Sequence, residues 1–453
     1  MMRDVLARYV RSLTGFERDA RLFLLATLAT GAALSLWWID FNLYLQSLGL
    51  TPAVIGVVAT VAAGAGVAVA FPASLLSNRL GRRLVMLGGG CLMLTAFVLL
   101  LTSSALPVLF LAAACFSAGN STLATVTAPF LVEHSDPDRR SELFAVQFAI
   151  ANGTNVVAAI AGGLIAEEVA RLGGFDAGGP EAYRVIVGLM AGLGILALLM
   201  LVRLRDDRPS APGRAIEEGA GRAPAASVSP AAGSTRPGSV SRRRPVISDP
   251  GTFVRLILPM LLISLGAGQV IPFLNVFVRG KFGLELASLN LLFAITSLGT
   301  LAATLLQPAL ARRFGKIGSV VLVQGASLPF LVVLGFSPVF WTVAVAMAVR
   351  NSLMNAGNPI FTAFAMERVP PSERATLSAA LGLLWSLGWL IGGPWYSLLQ
   401  SSLGFDAGYT VNFVTIVVLY SLGTWLSWLW FGRDERRERR SARGLGGAAA
   451  AEG

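Results

Sequence analysis

Charge is what this chain has least of. Asp, Glu, Lys and Arg make up 13% of its 453 residues, about half the share found in a soluble domain. An ordinary water-soluble globule is therefore excluded. Histidine and cysteine are nearly absent. The single histidine, His134, falls in a short loop and reads as a solvated side chain. Cys91 and Cys115 fall inside apolar runs and read as small packing residues. Neither a disulfide framework nor a metal site is indicated. There is no Gly-x-x-x-x-Gly-Lys-Ser/Thr loop, so the chain does not hydrolyse ATP itself. A membrane-embedded enzyme would need acids or histidines gathered near one membrane face. Apart from Glu133 and His134 there is no such group. The chain is not expected to be an enzyme or to carry a cofactor.

What is present is apolar length. Hydrophobic residues make up 55% of the chain and the mean hydropathy is +0.68. Twelve runs are long enough to cross a hydrocarbon core of about 30 Å as helices. They cover 22–48, 52–77, 84–103, 107–132, 143–166, 184–204, 253–278, 284–311, 317–335, 338–366, 375–400 and 409–431. The first is too long for a signal-peptide core and reads as a retained span. The pattern predicts an all-α, multi-pass protein of the cytoplasmic (inner) membrane.

The net charge of +11 would suit nucleic acid, but its placement argues for topology. Of the 36 Lys and Arg, the outer loops hold only Arg171, Arg184, Arg279 and Lys281, and Arg350 lies within a span. The rest fall on one side, which puts both termini in the cytoplasm. The basic tail "RDERRERRSAR" reads as a topology anchor beside anionic lipid. Residues 205–250 are rich in Pro, Ala, Gly, Ser and Arg and read as a disordered cytoplasmic linker. The expected layout is a segment 1–21, a six-helix bundle 22–204, the linker 205–250, a second bundle 251–431 and a tail 432–453. The expected partners are the bilayer, a small-molecule substrate and protons as coupling ion, with no nucleic acid, in a monomer.

Two polar punctuations recur. "EHSDPDRR" starts at Glu133 and "ERVPPSER" at Glu367. Both read Glu-x-x-x-Pro-x-x-Arg, so Glu133, Pro137 and Arg140 match Glu367, Pro371 and Arg374. "NRLGRR" starts at Asn78 and "RRFGKI" at Arg312, which pairs Arg79, Gly81 and Arg82 with Arg313, Gly315 and Lys316. Both matches share one offset of 234 residues. The chain reads as a duplicated six-span unit, the plan of parallel-repeat transporters.

At these residues the chain resembles the major facilitator superfamily of transporters. That family carries Gly-x-x-x-Asp-Arg-x-Gly-Arg-Lys/Arg between spans 2 and 3. The segment here is "SLLSNRLGRR", with Arg79, Gly81, Arg82 and Arg83 in place, and with Ser74 and Asn78 where the family has Gly and Asp. The resemblance implies two pseudo-symmetric six-helix bundles and alternating access. It also implies a cytoplasmic gate at Arg79, Gly81, Arg82, Glu133, Arg140, Arg313, Gly315, Glu367 and Arg374. Arg79 and Arg140 are expected to meet Glu133, and Gly81 to take a positive φ in its turn. Span 5 reads "AAIAGG" where proton antiporters of the family often have Gly-Pro-x-x-Gly-Gly. Neither antiporters nor sugar porters are matched in full.

Only Asp40 and Arg350 place a charge well inside spans, and an intramembrane charge is a functional-site hypothesis by default. In the family fold, spans 1, 4, 7 and 10 line the cavity, and the depths of Asp40 and Arg350 differ by roughly 6 Å. They are expected to approach each other across the cavity. In "LWWIDFNLYLQS", Trp37, Asp40, Tyr44 and Ser47 share a helical stripe. A carboxylate among aromatic rings suits an organic cation. It also suits a proton carrier, because desolvation favours the neutral carboxyl. A permanent structural pair of Asp40 with Arg350 is the competing reading. Gln269 in span 7, Asn351 and Asn355 in span 10 and Asn120 in span 4 complete the candidate lining, and Gly266, Gly268 and Pro272 are expected to break span 7. In span 11, Gly388 and Gly392 fit close helix packing.

These residues point to a secondary transporter, leaning to proton-coupled efflux of an amphipathic or cationic compound. The alternatives are uptake or facilitated transport of a sugar or organic anion, held by Arg350, and a transporter-like membrane sensor.

Overall fold

A computed structural model of the chain describes residues 16–134, 140–205, 248–370 and 373–449. Most of the linker lies outside the described residues, as do Pro137 and Pro371. The N-terminal half contributes α1 (Arg18–Ser47), α2 (Pro52–Leu80), α3 (Arg82–Thr102), α4 (Leu106–Glu133), α5 (Arg140–Gly173) and α6 (Pro180–Val202). The C-terminal half contributes α7 (Pro250–Val270), a 3-10 turn (Ile271–Phe273), α8 (Leu274–Phe282), α9 (Leu286–Phe314), α10 (Lys316–Phe336) and α11 (Phe340–Glu367). A last helical stretch, Arg374–Ala449, is interrupted at Gly404, where φ is 77°. Its limbs before and after Gly404 are α12 and α13.

The fold is the expected twelve-span one, with span 7 supplied by α7 and α8. Eight helical segments among the described residues meet a strict length and hydropathy test for crossing a membrane, and residues 380–432 count as one of them although they hold two passes. The helices outrun the apolar sequence runs. The last one continues to Ala449, well past the boundary expected at 432.

Local chemistry starts and stops these helices. Proline stands in the first turn of α2, α4, α6 and α7, where its missing N–H costs nothing. Thr51 caps α2 by accepting from the Val54 amide. Asp249 caps α7, accepting from the Thr252 hydroxyl at 2.6 Å and its amide at 3.1 Å. Those hydrogen bonds hold the Asp249 carboxyl below the usual carboxylate range. Gly81 and Gly315 end α2 and α9 with φ of 89° and 83°, so each turn needs a residue without Cβ. The two positions are equivalent in the repeat.

We call the face where α6 ends and α7 begins the linker face, and the opposite one the far face. The halves meet where α2 packs on the Arg374–Ala449 stretch, α5 on α9, and α1 on α8. Small residues let these helices approach. On α2 and α12, a Cβ on Gly56 would lie 2.8 Å from the Gly393 carbonyl oxygen. Within the C-terminal half, α7 sits still closer to α12. A Cβ on Gly268 would lie 1.9 Å from the Gly388 carbonyl oxygen, and one on Gly392 would lie 2.3 Å from the Gly268 carbonyl carbon. Ser264 adds a hydrogen bond to the Leu384 carbonyl at 2.6 Å. Such contacts are the usual source of helix association where lipid removes the hydrophobic drive.

This packing makes an asymmetric prediction. Gly268→Ala must push backbone apart and should cost about 1–3 kcal/mol, lowering the thermal unfolding midpoint in detergent by several degrees. A Cβ on Gly325 meets nothing within 4 Å, so Gly325→Ala should leave the midpoint unchanged or raise it.

Candidate functional site

Side-chain hydrogen bonds cross between the two halves toward the far face. Asn42 on α1 donates to the Pro272 carbonyl, and Asn275 on α8 donates to the Ile39 carbonyl at 2.6 Å. Asn290 on α9 donates to Asp40 Oδ1 at 3.1 Å. Arg279 on α8 donates to the Tyr183 hydroxyl and to the Gly178 carbonyl. The break at Ile271–Phe273 frees carbonyls for this role. Pro272 receives Asn42, and the Phe273 carbonyl receives the Tyr409 hydroxyl at 3.2 Å. A broken span is tolerated where protein groups satisfy its backbone. The far face is therefore bolted shut. Above the bolt lies a vestibule of about 830 Å³ lined by Glu167, Glu168, Asp176, Glu285, Arg171 and Arg279.

Asp40 is 1% exposed and its partner is Asn290. Arg350, its expected partner, lies elsewhere. Asp40 reaches Asn290 of α9, and its neighbour Ile39 packs with Ala159 of α5 and Ala294 of α9. Asp40 Oδ2 and Asn290 Oδ1 are both buried without a hydrogen-bond partner. Arg350 is 3% exposed on α11. It donates to the Tyr420 hydroxyl on α13 at 2.9 Å and to Asn351 Oδ1 at 3.3 Å, and it lies against the Tyr420 ring. Similar depth did not bring the two charges together: Asp40 is engaged by Asn290 and Arg350 by Tyr420.

An aromatic cavity of about 90 Å³ lies between the halves. Trp37 is sandwiched between Phe41 and Phe116, with ring centroids 3.9 and 3.7 Å away. Trp38 meets Trp389 of α12 edge to face at 4.9 Å. Asn42, Ser117 and Asn120 supply the polar lining. Asn120 also lines a second cavity of about 160 Å³ toward the linker face, with Thr27, Thr30, Thr127 and Gln147. Asn120 thus joins the aromatic cavity to the linker-face side. Asp40 lines neither cavity. With Trp37 and Tyr44 it borders a void of about 10 Å³ beside Tyr183, and Tyr44 donates to the Leu100 carbonyl at 3.3 Å.

The expected amide lining is only partly present. Gln269 donates to the Leu265 carbonyl and Asn355 to the Asn351 carbonyl, each bonding back along its own helix. Asn42, Asn290, Trp38, Trp389, Arg279 and Tyr420 were missed. Asn42 stands in the same stretch as Asp40, and Asn290 is the one asparagine in the apolar run 284–311, so both left a readable signal.

The loop motif differs from expectation in its partners. Arg82, rather than Arg79, meets Glu133, with Nη2 at 2.9 Å and Nε at 3.2 Å from Oε1. Its Nη1 donates to Ser77 at 2.7 Å. Arg79 is exposed at the end of α2, and the side chain of Arg140 lies outside the described residues. At the equivalent place Lys316 pairs with Glu367, while Arg374 donates to the Met366 carbonyl at 2.9 Å. Arg313 lies against the neighbouring Phe314 ring. Each pair brackets a loop within its own half and does not cross the mouth. Arg82 and Glu133 keep 18% and 45% side-chain exposure, so the pair is worth at most about 1 kcal/mol. An Arg82→Ala, Glu133→Ala double-mutant cycle read by thermal unfolding should give a coupling no larger than that.

Comparison with known proteins agrees with this geometry. Residues 23–393 match the family model of the Major Facilitator Superfamily. Over 164 residues the chain is 26% identical to the methylenomycin A resistance protein of Streptomyces coelicolor, a stretch covering 35% of this chain and 33% of that one. Among solved structures, the D-xylose–proton symporter superposes with a TM-score of 0.68 at 14% identity, covering 90% of this chain and 96% of that one. A bacterial homologue of the iron transporter ferroportin in its inward-facing state gives 0.64 at 17% identity, covering 90% and 98%. The chain belongs to the Major Facilitator Superfamily of membrane transporters.

Proposed function

We propose that this chain is a proton-coupled exporter of an amphipathic small molecule, working by rocking of its two halves. The observation that carries the reading is an aromatic cavity between the halves beside a buried carboxyl at their seam. Stacked rings with three neutral polar groups suit a ring compound with a hydrogen-bonding function. A cation is tolerated at the Trp38 ring, since both faces of Trp37 are covered by Phe41 and Phe116, but Asp40 does not offer it a counter-charge. Proton carriage falls to Asp40 as the intramembrane acid. Efflux is supported by the resistance protein to which part of the chain is similar. The excess of Lys and Arg at the linker face makes that face cytoplasmic, so the bolted far face is the outer one and the cargo enters from the cytoplasm.

One observation favours a second reading, transport of an organic anion. Arg350 is buried, cannot lose its proton and hydrogen-bonds only to neutral groups among the described residues.

The test is proton flux in proteoliposomes holding a pH dye under an inside-acid gradient. Pools of amphipathic compounds, organic cations, sugars and organic acids are added in turn. An amphipathic pool should dissipate the gradient with wild type, at least about tenfold more slowly with Trp389→Ala, and not at all with Asp40→Asn. If labelled solute equilibrates while no pool moves protons, the protein is a facilitator or uses another ion. If only organic acids act, and Arg350→Gln abolishes the response, the second reading holds.

A further inference from the structure

We infer that Asn290 is the positioning residue for Asp40: in the outer-closed state the pair forms an acid–amide ring that requires a proton on Asp40. The inference rests on the proposed proton coupling at Asp40.

The argument is a hydrogen-bond count. Asn290 Nδ2 spends both of its hydrogens, one on Asp40 Oδ1 at 3.1 Å and one on the Leu286 carbonyl at 3.1 Å. That fixes the amide orientation, since a flipped amide would set its oxygen against the Leu286 carbonyl. In the inferred ring, the bond back to Leu286 uses the amide hydrogen nearer Cβ and the one on the carbonyl side reaches Asp40, so that Asn290 Oδ1 faces the same carboxyl. Asn290 Oδ1 has no donor and Asp40 Oδ2 has no partner in the structure. An ionised Asp40 leaves both unsatisfied. One proton on Oδ2 converts it to a donor and satisfies both. Buried polar atoms without partners are costly enough that native structures rarely keep them.

The groups around the pair agree. Arg279 is a described cation on the same side of the seam as Asn290, against Tyr183. It makes no hydrogen bond to Asp40, spending its donors on Tyr183 and Gly178. Tyr44 and Tyr183 face the same void, and Tyr44 donates elsewhere. Gly163 of α5 packs against Asn290, where a Cβ would lie 3.0 Å from the Asn290 Cβ, so no water layer separates α5 from the amide. The seam joins α1 of one half to α9 of the other. Opening it separates the ring and gives Asp40 to water. Protonation and outer closure are therefore one linked equilibrium, in which protons favour closure.

The test is the distance between spin labels at Leu172→Cys and Val339→Cys, with Cys91 and Cys115 replaced by serine, in nanodiscs without substrate. In the parent, the closed-to-open ratio should rise as pH falls, by no more than about tenfold per pH unit for one proton. Asp40→Asn, whose amide supplies both a donor and an acceptor to Asn290, should stay closed at every pH. The swap Asp40→Asn with Asn290→Asp rebuilds the ring in reverse and should regain the pH dependence. Overturning results are a parent-like pH dependence in Asp40→Asn, or a swap that folds and closes without responding to pH. If the swap does not fold, Asp40→Asn alone decides the dependence on Asp40. Infrared detection of a carboxylic acid in the parent, shifted by Asn290→Gln, then decides the partner. Because no substrate is present, a seam that responds to pH in a protein that moves no protons would overturn the coupling reading and leave this one standing.

Discussion

A polar group between closely packed apolar helices has no water to turn to, and the rest of this structure is arranged around that constraint. Asp40 is the sharpest case. It lies where the two halves meet, and the group that satisfies it comes from the other half. Asn290 does so with one hydrogen bond. A salt bridge to Arg350 would have satisfied the charge more completely, but it would have been harder to part, because each half would then expose an uncompensated ion. An acid–amide pair parts more readily. In water, both members find partners.

The same constraint explains the broken seventh span. A continuous helix satisfies its own carbonyls and offers little to a neighbour. The turn at Ile271–Phe273 releases two of them, which Asn42 and Tyr409 then engage. The far-face bolt is made of backbone as much as of side chains. Close glycine contacts between α2 and α12 and between α7 and α12 supply the shape fit that lets those polar contacts form. On the linker face Arg82 pairs with Glu133 and Lys316 with Glu367, each within its own half. The two pairs tie equivalent loops together.

Much of the fold was legible in the sequence because it depends on length and period. Twelve apolar runs, the glycine turns at Gly81 and Gly315, the weak point near Pro272 and the glycine contacts of α12 all follow from local chemistry. The shared offset of 234 residues was informative about partners too. It matches Arg82 to Lys316 and Glu133 to Glu367, and each half forms the corresponding ion pair, Arg82 with Glu133 and Lys316 with Glu367. Attention to Arg79 came from the family pattern and not from the repeat. Counting residues along the span gave a depth for Asp40, but it could not say which neighbouring helix the carboxyl would face. Asp40 and Arg350 looked like partners because they are the two opposite charges well inside spans. The structure gives one an amide and the other a phenol.

The central claim is that Asp40 holds a proton when the outer side is closed, and infrared spectroscopy tests it most directly. Difference spectra across a pH titration, in nanodiscs, should show a carboxylic acid C=O band at neutral pH that is absent from Asp40→Asn and shifted in Asn290→Gln. A band that Asp40→Asn leaves in place, or an Asp40 that is a carboxylate throughout the neutral range while the outer side is closed, would contradict the account.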